Sequence, residues 1–378
     1  MTLSFARVIF LAALVLWHAS MLAQPLKAVA YQGWWMPQSW KNGALKDLDR
    51  LFFFELKVDA TGKVSERHGW PAQWHELQVA AKAHQVPIDL TLTLFDSATF
   101  NQLFSSDQAM NSLLAECIEL AAPEFVSGLQ FDFEIYNGAT AVSIRNYRAF
   151  LGKLSAQLRT DSVHKNLSVF LPALADDPLY NEATLGLMNL VVVQSYDTHY
   201  RSSSRAGPVA PLNGPDALTW RSAAAEALAL GVSKERLFLT FPLYGYEWLV
   251  KDNTLRSQTQ KPGTTTTFST VSKELLPDIQ VSATQRVHQY GASHDPVSGS
   301  AYYQFKNEQN QWVEGWFEDW WSLGRKIDFL NAERLGGAAF FLLGYDHNEL
   351  LAYYLQRRSP NSLDALINAL EPGLQASP

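Results

Sequence analysis

Residues 128–134 read Gly-Leu-Gln-Phe-Asp-Phe-Glu, and this stretch predicts both a fold and a site. Gln130, Asp132 and Glu134 alternate with large apolar residues. Alternation with a period of two is typical of a β-strand whose polar side chains share one face. The opposite face is apolar and is therefore predicted to be buried. Because two carboxyls on one buried face cost desolvation and mutual repulsion, we favour a catalytic or sugar-binding role over a solvated polar strand.

Similar apolar runs recur along the chain with helical patterns between them. The eight predicted strands are 28–31, 51–56, 88–94, 128–134, 167–171, 190–194, 237–241 and 337–342. The predicted helices are 72–85, 99–121, 139–160, 216–230 and 316–334. Strand–helix alternation repeated eight times predicts an α/β fold, a closed (β/α)8 TIM barrel of parallel strands.

The segment between Trp248 and Trp316 interrupts this alternation. It contains four consecutive threonines at 264–267 and β-like pieces at 280–289 and 301–305. With about seventy residues it is too long for a structureless loop. We therefore predict a small inserted α+β subdomain after the seventh strand, at 249–315, within a barrel domain that spans residues 24–371. Residues 372–378 are predicted to form a flexible tail.

Residues 1–23 have the features of a signal peptide. Arg7 is the only charged residue before an apolar run from Val8 to Trp17, which is too short to span a bilayer. We predict an exported protein, periplasmic or extracellular, with no integral membrane segment after cleavage. A retained membrane anchor is the alternative. The formal net charge is −7 and basic residues do not cluster, so nucleic acid is not a predicted partner.

Active sites of such barrels lie at the carboxyl ends of the strands. Here those ends carry Glu134, then Tyr196 and Asp197, then Tyr244. Several strands thus direct polar or aromatic groups toward one opening, which is a more specific signal than a single pair of acids. The sequence contains no zinc-protease, phosphate-loop or dinucleotide-binding motif, so we predict neither a metal nor a cofactor.

The acid pair constrains the chemistry at this opening. Glycoside cleavage needs an acid for the leaving oxygen and a negative or nucleophilic group at the anomeric carbon. Two carboxyls on one strand are too similarly placed to flank a scissile bond from opposite faces. Substrate-assisted cleavage solves this problem, because the N-acetyl carbonyl of the sugar itself attacks carbon 1. Glu134 would then protonate the leaving group, and Asp132 would orient the acetamide.

Three motifs resemble those of glycoside hydrolase family 18, the chitinase-like barrels. The family's D-x-x-D-x-D-x-E strand aligns with residues 127–134, where Ser127 and Gln130 replace the first two acids and Asp132 and Glu134 match the last two. Its Met-x-Tyr-Asp motif aligns with residues 194–197, and its Pro-x-Tyr-Gly segment is similar to 242–245. The resemblance covers nearly the whole mature chain. It is closest to the branch that includes peptidoglycan-directed and spore-cortex N-acetylglucosaminidases.

The resemblance implies a role for each matching residue. Glu134 would be the general acid/base, Asp132 would orient the acetamide, and Tyr196 would donate its hydroxyl to the acetamide oxygen. Tryptophans near the strand ends add stacking platforms, for which core packing is the alternative. The predicted substrate-binding residues are Gln130, Asp197, Tyr244, Trp248, Phe341 and Trp35.

Departures from the family pattern have physical consequences. Gln130 can donate an amide hydrogen to Asp132, and we predict that this bond keeps Asp132 ionised. Phe341 aligns with the tryptophan that lies under the reactive sugar in the family, so we predict weaker stacking here. The family's Ser-x-Gly-Gly after the third strand is absent, and residues 94–97 read Leu-Phe-Asp-Ser instead.

Together these features predict a monomeric, retaining glycoside hydrolase that acts on β-linked glycans containing N-acetylglucosamine by substrate-assisted catalysis. Chitin oligomers and peptidoglycan both remain candidate substrates, and the predicted partner is an N-acetylated oligo- or polysaccharide. The alternative is a catalytically weak or silent sugar-binding protein on the same fold. The presence of Glu134, Asp132 and Tyr196 favours the enzyme.

Overall fold

A computed structural model describes residues 24–42, 45–160, 163–174, 179–272, 275–277, 279 and 281–359 of the chain. The predicted signal peptide at 1–23 and the predicted tail at 372–378 lie outside these residues.

Eight strands form the centre of the structure, and each one overlaps a predicted apolar run. They are β1 (Lys27–Gly33), β2 (Arg50–Val58), β3 (Ile88–Leu94), β4 (Val126–Phe133), β5 (Asn166–Leu171), β6 (Leu190–Val193), β7 (Leu237–Pro242) and β8 (Gly337–Phe341). Consecutive strands pair in parallel, and β8 returns to pair with β1. The predicted closed (β/α)8 TIM barrel is therefore confirmed.

Helices fill most of the connections between the strands. Among the described residues they are α1 (His75–His84), α2 (Ser97–Phe104), α3 (Asp107–Ala121), α4 (Ala141–Leu158), α5 (Glu182–Leu185), α6 (Trp220–Ala229), α7 (Ala283–Tyr290), α8 (Trp320–Glu333) and α9 (Glu349–Arg357). The single helix predicted at 99–121 is two helices, because Ser106 is extended and its Oγ caps α3 by accepting from the Ala109 N–H. None of these helices is long and apolar enough to cross a bilayer.

The apolar face of β4 packs outward against the helices, as its alternation predicts. Phe131 and Phe133 lie with their ring centroids 6.4 and 5.5 Å from that of Tyr147 on α4. All three rings are completely buried, and burying one such ring stabilises the fold by about 1.5–3 kcal/mol. The opposite face carries Gln130 and Asp132 into the barrel interior, next to β3.

After β7 the chain enters a five-stranded antiparallel sheet, here called the inserted sheet. Its strands are Tyr244–Val250, Thr264–Thr267, Ser293–Asp295, Ser300–Lys306 and Trp312–Phe317. An insertion after the seventh strand is thus present as predicted, and α7 contacts its strand Ser300–Lys306. The β-like structure predicted at 280–289 is wrong. Residues 283–290 are helical, because Ser282 and Gln285 form a capping box at the start of α7.

A buried ion pair ties the inserted sheet to the barrel. Glu318 directly follows the last strand of this sheet, and its Oε2 lies 2.5 Å from Nζ of Lys326 on α8. Both side chains are fully buried. The Lys326 ammonium also lies 5.5 and 5.6 Å from the ring centroids of Trp220 and Phe241, which belong to α6 and β7. Two charges removed from water depend on each other, since neither can be solvated if its partner is lost.

We therefore expect Lys326→Met to destabilise the protein by about 3–5 kcal/mol, because it leaves the Glu318 carboxylate buried without its partner. Urea unfolding followed by tryptophan fluorescence measures this loss. Combining Lys326→Met with Glu318→Leu should recover most of the stability, because no charge then remains buried.

Lys234→Met is the matched control. Lys234 pairs with Glu333 at 3.4 Å, but their side chains are 49% and 40% exposed. Such a surface pair contributes less than about 1 kcal/mol. If Lys326→Met and Lys234→Met lowered the free energy of unfolding equally, the buried pair would not stabilise the fold more than the surface pair.

Candidate active site

The polar face of β4 ends at the opening of the barrel. Gln130 is fully buried, Asp132 is 3% exposed, and Glu134 is half-buried just beyond the strand. The Glu134 N–H donates to the Leu94 carbonyl at 3.0 Å, which holds the backbone of this residue against the end of β3. The strand therefore places its three polar side chains at increasing height, with Glu134 nearest to solvent.

Three buried polar atoms near the base of the site have no hydrogen-bond partner. They are Nε2 of Gln130, Oδ1 of Asp132 and the hydroxyl of Tyr31. The Gln130 Oε1 accepts from the Thr91 hydroxyl at 3.1 Å, which fixes the amide but leaves its hydrogens unused. The predicted hydrogen bond from Gln130 to Asp132 is not formed. Buried polar groups are almost always satisfied, so a bound group that reaches these atoms would gain hydrogen bonds there.

Burial raises the pKa of both Asp132 and Glu134. The pKa of Asp132 lies well above its ordinary value because of desolvation, the neighbouring Glu134 and the nearby Glu55. The pKa of Glu134 is also raised, first by burial and further by the charge of Asp197; a hydrogen bond donated by the Tyr136 hydroxyl to the carboxylate would oppose this shift. Raised values favour the protonated forms, so the prediction that Asp132 stays ionised through Gln130 is not supported.

The segment after β6 brings Tyr196 and Asp197 to the same opening. Ser195 anchors it to β7, since its hydroxyl donates to the Thr240 carbonyl at 2.9 Å and accepts from the Thr240 N–H at 2.8 Å. Tyr196 is 8% exposed, and burial together with Glu134, Asp197 and Asp132 raises its pKa well above 10. Its hydroxyl therefore remains a neutral donor close to the acid pair.

Asp197 is held by two tyrosines of the inserted sheet. Its Oδ1 accepts from the hydroxyl of Tyr244 at 2.7 Å and from that of Tyr246 at 3.2 Å. Burial raises the pKa of Asp197 to about 6, although both hydrogen bonds oppose this shift. Tyr244 thus reaches the site through Asp197, as a residue of the inserted sheet rather than of β7.

Aromatic rings surround the floor of the opening. Phe341, at the end of β8, has its ring centroid 5.5 Å from Tyr31, 5.4 Å from Phe54 and 6.1 Å from Tyr196. Phe341 and Tyr196 are nearly parallel, with 21° between their planes. These contacts bring the predicted floor residue next to the predicted acetamide donor, with part of the Phe341 ring exposed.

The two predicted tryptophan platforms occupy different environments. Trp35 is partly buried, and its Nε1 donates to the Tyr345 hydroxyl at 3.0 Å, which links the loops after β1 and β8. Trp248 is only 1% exposed within the inserted sheet, and its Nε1 donates to the Arg201 carbonyl at 3.2 Å. The structure therefore brings Trp35 to the opening and leaves Trp248 with almost no surface for a sugar.

Sequence reasoning missed two residues of this site, Glu55 and Tyr136. Glu55 on β2 is 7% exposed, accepts from the Thr93 hydroxyl at 2.7 Å and helps to raise the pKa of Asp132. The hydroxyl of Tyr136 contacts both Glu134 and Gln194. An acid within the apolar run at 51–56 is the signal that could have revealed Glu55.

Among the described residues, no group of three acidic, histidine or cysteine side chains could hold a metal ion.

The raised pKa of Asp197 predicts a pH-dependent stability. Its carboxyl titrates near 3.8 in the unfolded chain and near 6 in the fold, so the wild type loses stability as the pH rises through this window. Asp197→Asn removes the loss, and Asn can still accept from both tyrosines. The free energy of unfolding of Asp197→Asn minus that of wild type should therefore increase by about 1–2 kcal/mol from pH 4 to pH 7.5, as measured by urea unfolding.

Asp252→Asn provides a control of opposite sign. Hydrogen bonds from the Thr254 N–H and the Ser257 hydroxyl lower the pKa of this partly exposed carboxyl. It therefore stabilises the fold above its unfolded pKa, and its removal should cost more at pH 7.5 than at pH 4. A free-energy difference for Asp197→Asn that is constant or shrinks with pH would contradict the burial argument.

Comparisons with known proteins agree with this architecture. The profile of the family described as "Glycosyl hydrolases family 18" matches residues 41–346. Over 270 residues the chain is 26% identical to the "Putative sporulation-specific glycosylase YdhD" of Bacillus subtilis (strain 168), which covers 68% of this chain. The chain spans only 57% of the length of that relative.

Solved structures share the fold at low sequence identity. The spore cortex-lytic enzyme SleL of Bacillus megaterium QM B1551 superposes with a TM-score of 0.66 at 20% identity, over 87% of this chain and 73% of that one. A glycoside hydrolase family 18 N-acetylglucosaminidase from Paenibacillus barengoltzii superposes with a TM-score of 0.71 at 16% identity, over 88% and 99%. The family match over most of the sequence confirms the resemblance carried by the three motifs: the chain belongs to glycoside hydrolase family 18, a family of enzymes that hydrolyse O-glycosyl bonds.

Proposed function

We propose that the protein is a retaining glycosidase that cleaves β-linked glycans containing N-acetylglucosamine by substrate-assisted catalysis. One observation carries the proposal. Glu134 and Asp132 lie side by side at the barrel opening, and the buried Oδ1 of Asp132 has no hydrogen-bond partner. A buried carboxyl oxygen without a donor is suited to accept the N–H of an acetamide group.

In the first step Glu134 acts as the general acid. Its proton moves to the glycosidic oxygen while the bond from this oxygen to carbon 1 breaks, and the acetamide oxygen of the same sugar forms the new bond to carbon 1. Asp132 accepts from the acetamide N–H and stabilises the positive charge of the cyclic oxazolinium ion. The Tyr196 hydroxyl orients the acetamide oxygen for attack.

In the second step Glu134 acts as the general base. It takes a proton from water, whose oxygen attacks carbon 1 as the bond to the acetamide oxygen breaks. Each displacement inverts carbon 1, so two displacements leave the product with the anomeric configuration of the substrate. The raised pKa of Glu134 suits a group that must be protonated in one step and ionised in the next.

The substrate class follows from the acetamide requirement and from the relatives. An N-acetyl group is needed for the nucleophile, and both chitin oligomers and peptidoglycan supply it. The names of the Bacillus relatives, a sporulation-specific glycosylase and a spore cortex-lytic enzyme, favour a cell-wall glycan. We further propose that the protein works outside the cytoplasm as a monomer, without a cofactor.

The decisive experiment compares wild type and Glu134→Gln on N-acetylglucosamine oligomers and on peptidoglycan. Loss of the acid is expected to lower turnover by about 10²–10⁴-fold, with binding of the oligomers preserved. The initial product of the wild type, followed by proton NMR, should be the β-anomer. A de-N-acetylated analogue of the substrate should not be cleaved, since it lacks the acetamide nucleophile.

Three outcomes would count against parts of the proposal. Binding without turnover in wild type would favour a silent sugar-binding protein. Turnover that survives Glu134→Gln would remove this residue from the acid role. Equal cleavage of the substrate without N-acetyl groups would exclude substrate assistance.

Phe341→Trp tests the floor of the site. A larger ring among Tyr31, Phe54 and Tyr196 offers more stacking area and an indole donor, so affinity for short N-acetylglucosamine oligomers should rise by about threefold. Calorimetric titration of the variant in the Glu134→Gln background measures this without turnover. Unchanged or weaker affinity would show that Phe341 does not stack under a sugar.

A further inference from the structure

The hydroxyl of Tyr136 lies between two acceptors. It contacts Oε2 of Glu134 and lies 2.9 Å from Oε1 of Gln194. Tyr136 is 37% exposed in the loop directly after β4, so its ring borders the opening. A phenol hydroxyl carries one proton and can donate to only one of these oxygens.

The orientation of the Gln194 amide is fixed by a third group. The Ala173 N–H donates to the same Oε1 at 3.1 Å, and the Gln194 side chain is largely buried at the end of β6. Turning the amide would place its NH2 group against this N–H. The Gln194 oxygen therefore faces Tyr136, and the hydroxyl meets an acceptor on each side.

Only one protonation state of Glu134 gives both contacts of the Tyr136 hydroxyl a proton. If Glu134 is ionised, Tyr136 donates to it, and the oxygens of Tyr136 and Gln194 face each other at 2.9 Å with no proton between them. If Glu134 is protonated, it donates to Tyr136, which in turn donates to Gln194. The second arrangement forms an unbroken chain of hydrogen bonds, and such chains reinforce each other in a buried environment.

We propose that Tyr136 and Gln194 are positioning residues that hold Glu134 in its protonated form, ready to donate to a glycosidic oxygen. The catalytic meaning of this inference rests on the proposed function, whereas the hydrogen-bond chain does not. Neither residue transfers a proton to substrate. Gln194 accepts the proton of the Tyr136 hydroxyl, and the Tyr136 oxygen is then free to accept the hydrogen bond from protonated Glu134.

Several ionisable groups face Glu134 from the surrounding strands. They are Asp132 on β4, Tyr196 and Asp197 after β6, and Tyr31 on β1. Burial and the charge of Asp197 raise the pKa of Glu134 whatever Tyr136 does. A Tyr136 hydroxyl that accepts from the protonated acid raises this pKa further, whereas one that donates to the carboxylate lowers it. The direction in which a Tyr136 variant moves the titration therefore distinguishes the two arrangements.

The test is an NMR titration of the protein labelled with ¹³C at the glutamate side-chain carboxyls. The Glu134 resonance is assigned by its loss in Glu134→Gln. Tyr136→Phe should lower its apparent pKa by about one pH unit, because the protonated acid loses its acceptor. Gln194→Met should lower it as well, because Tyr136 is then free to donate to the carboxylate. Tyr180→Phe is the control, since this hydroxyl pairs with Tyr147 and leaves Glu134 untouched.

A higher apparent pKa in Tyr136→Phe, with no change in Gln194→Met, would overturn the proposal and show that Tyr136 donates to an ionised Glu134. Unchanged titration in both variants would exclude both residues from the role. In catalysis, the alkaline limb of the kcat/KM profile on N-acetylglucosamine oligomers should move to lower pH in both variants. Because the titration needs no turnover, an inactive wild type would count against the proposed function alone.

Discussion

The carboxyls of Asp132 at the end of β4 and of Glu134 just beyond it are the constraint on which the rest of the site depends. Their burial is enforced by the other face of the strand, because a shift of one residue in register would turn Phe131 and Phe133 into the barrel and both acids onto the helices. The packing of those rings is thus what keeps Asp132 and Glu134 in a poorly solvated position. The neighbouring tyrosines, the amide of Gln130 and the unused Asp132 oxygen are arranged around that position.

The sequence predicted those parts of the fold and site that depend on periodicity. The strand β4 alternates cleanly, so both its outer packing and its inner polar row were correctly predicted. Glu55 was not found, because β2 is buried on both faces and its pairing with β3 shifts register between Phe53 and Leu56. In a strand of that kind, alternation no longer tells which side chain enters the barrel.

Other residues were misplaced or missed because the chain leaves its periodic element. Trp248 was expected at the end of the seventh strand, but the chain bends into the inserted sheet at Tyr244 and buries the indole there. Tyr136 lies in the loop after β4, where no repeat predicts a direction. From sequence, Gln194 could be recognised only as a departure from a family motif. The structure adds its contacts, because its amide oxygen lies beside the Tyr136 hydroxyl and the Ala173 N–H.

The closure of the barrel has a consequence for how the chain acquires its structure during synthesis. β1 gains its second strand neighbour only when β8 has been made, and the backbone around it is also bound from α9, through Leu26 to Arg358 and through Lys27 to Tyr354. A growing or truncated chain that stops before β8 therefore has two open strand edges, one at β1 and one at β7. Unpaired edges invite pairing with other chains, so β8, which is made after the other seven strands of the barrel, protects the edges of β1 and β7.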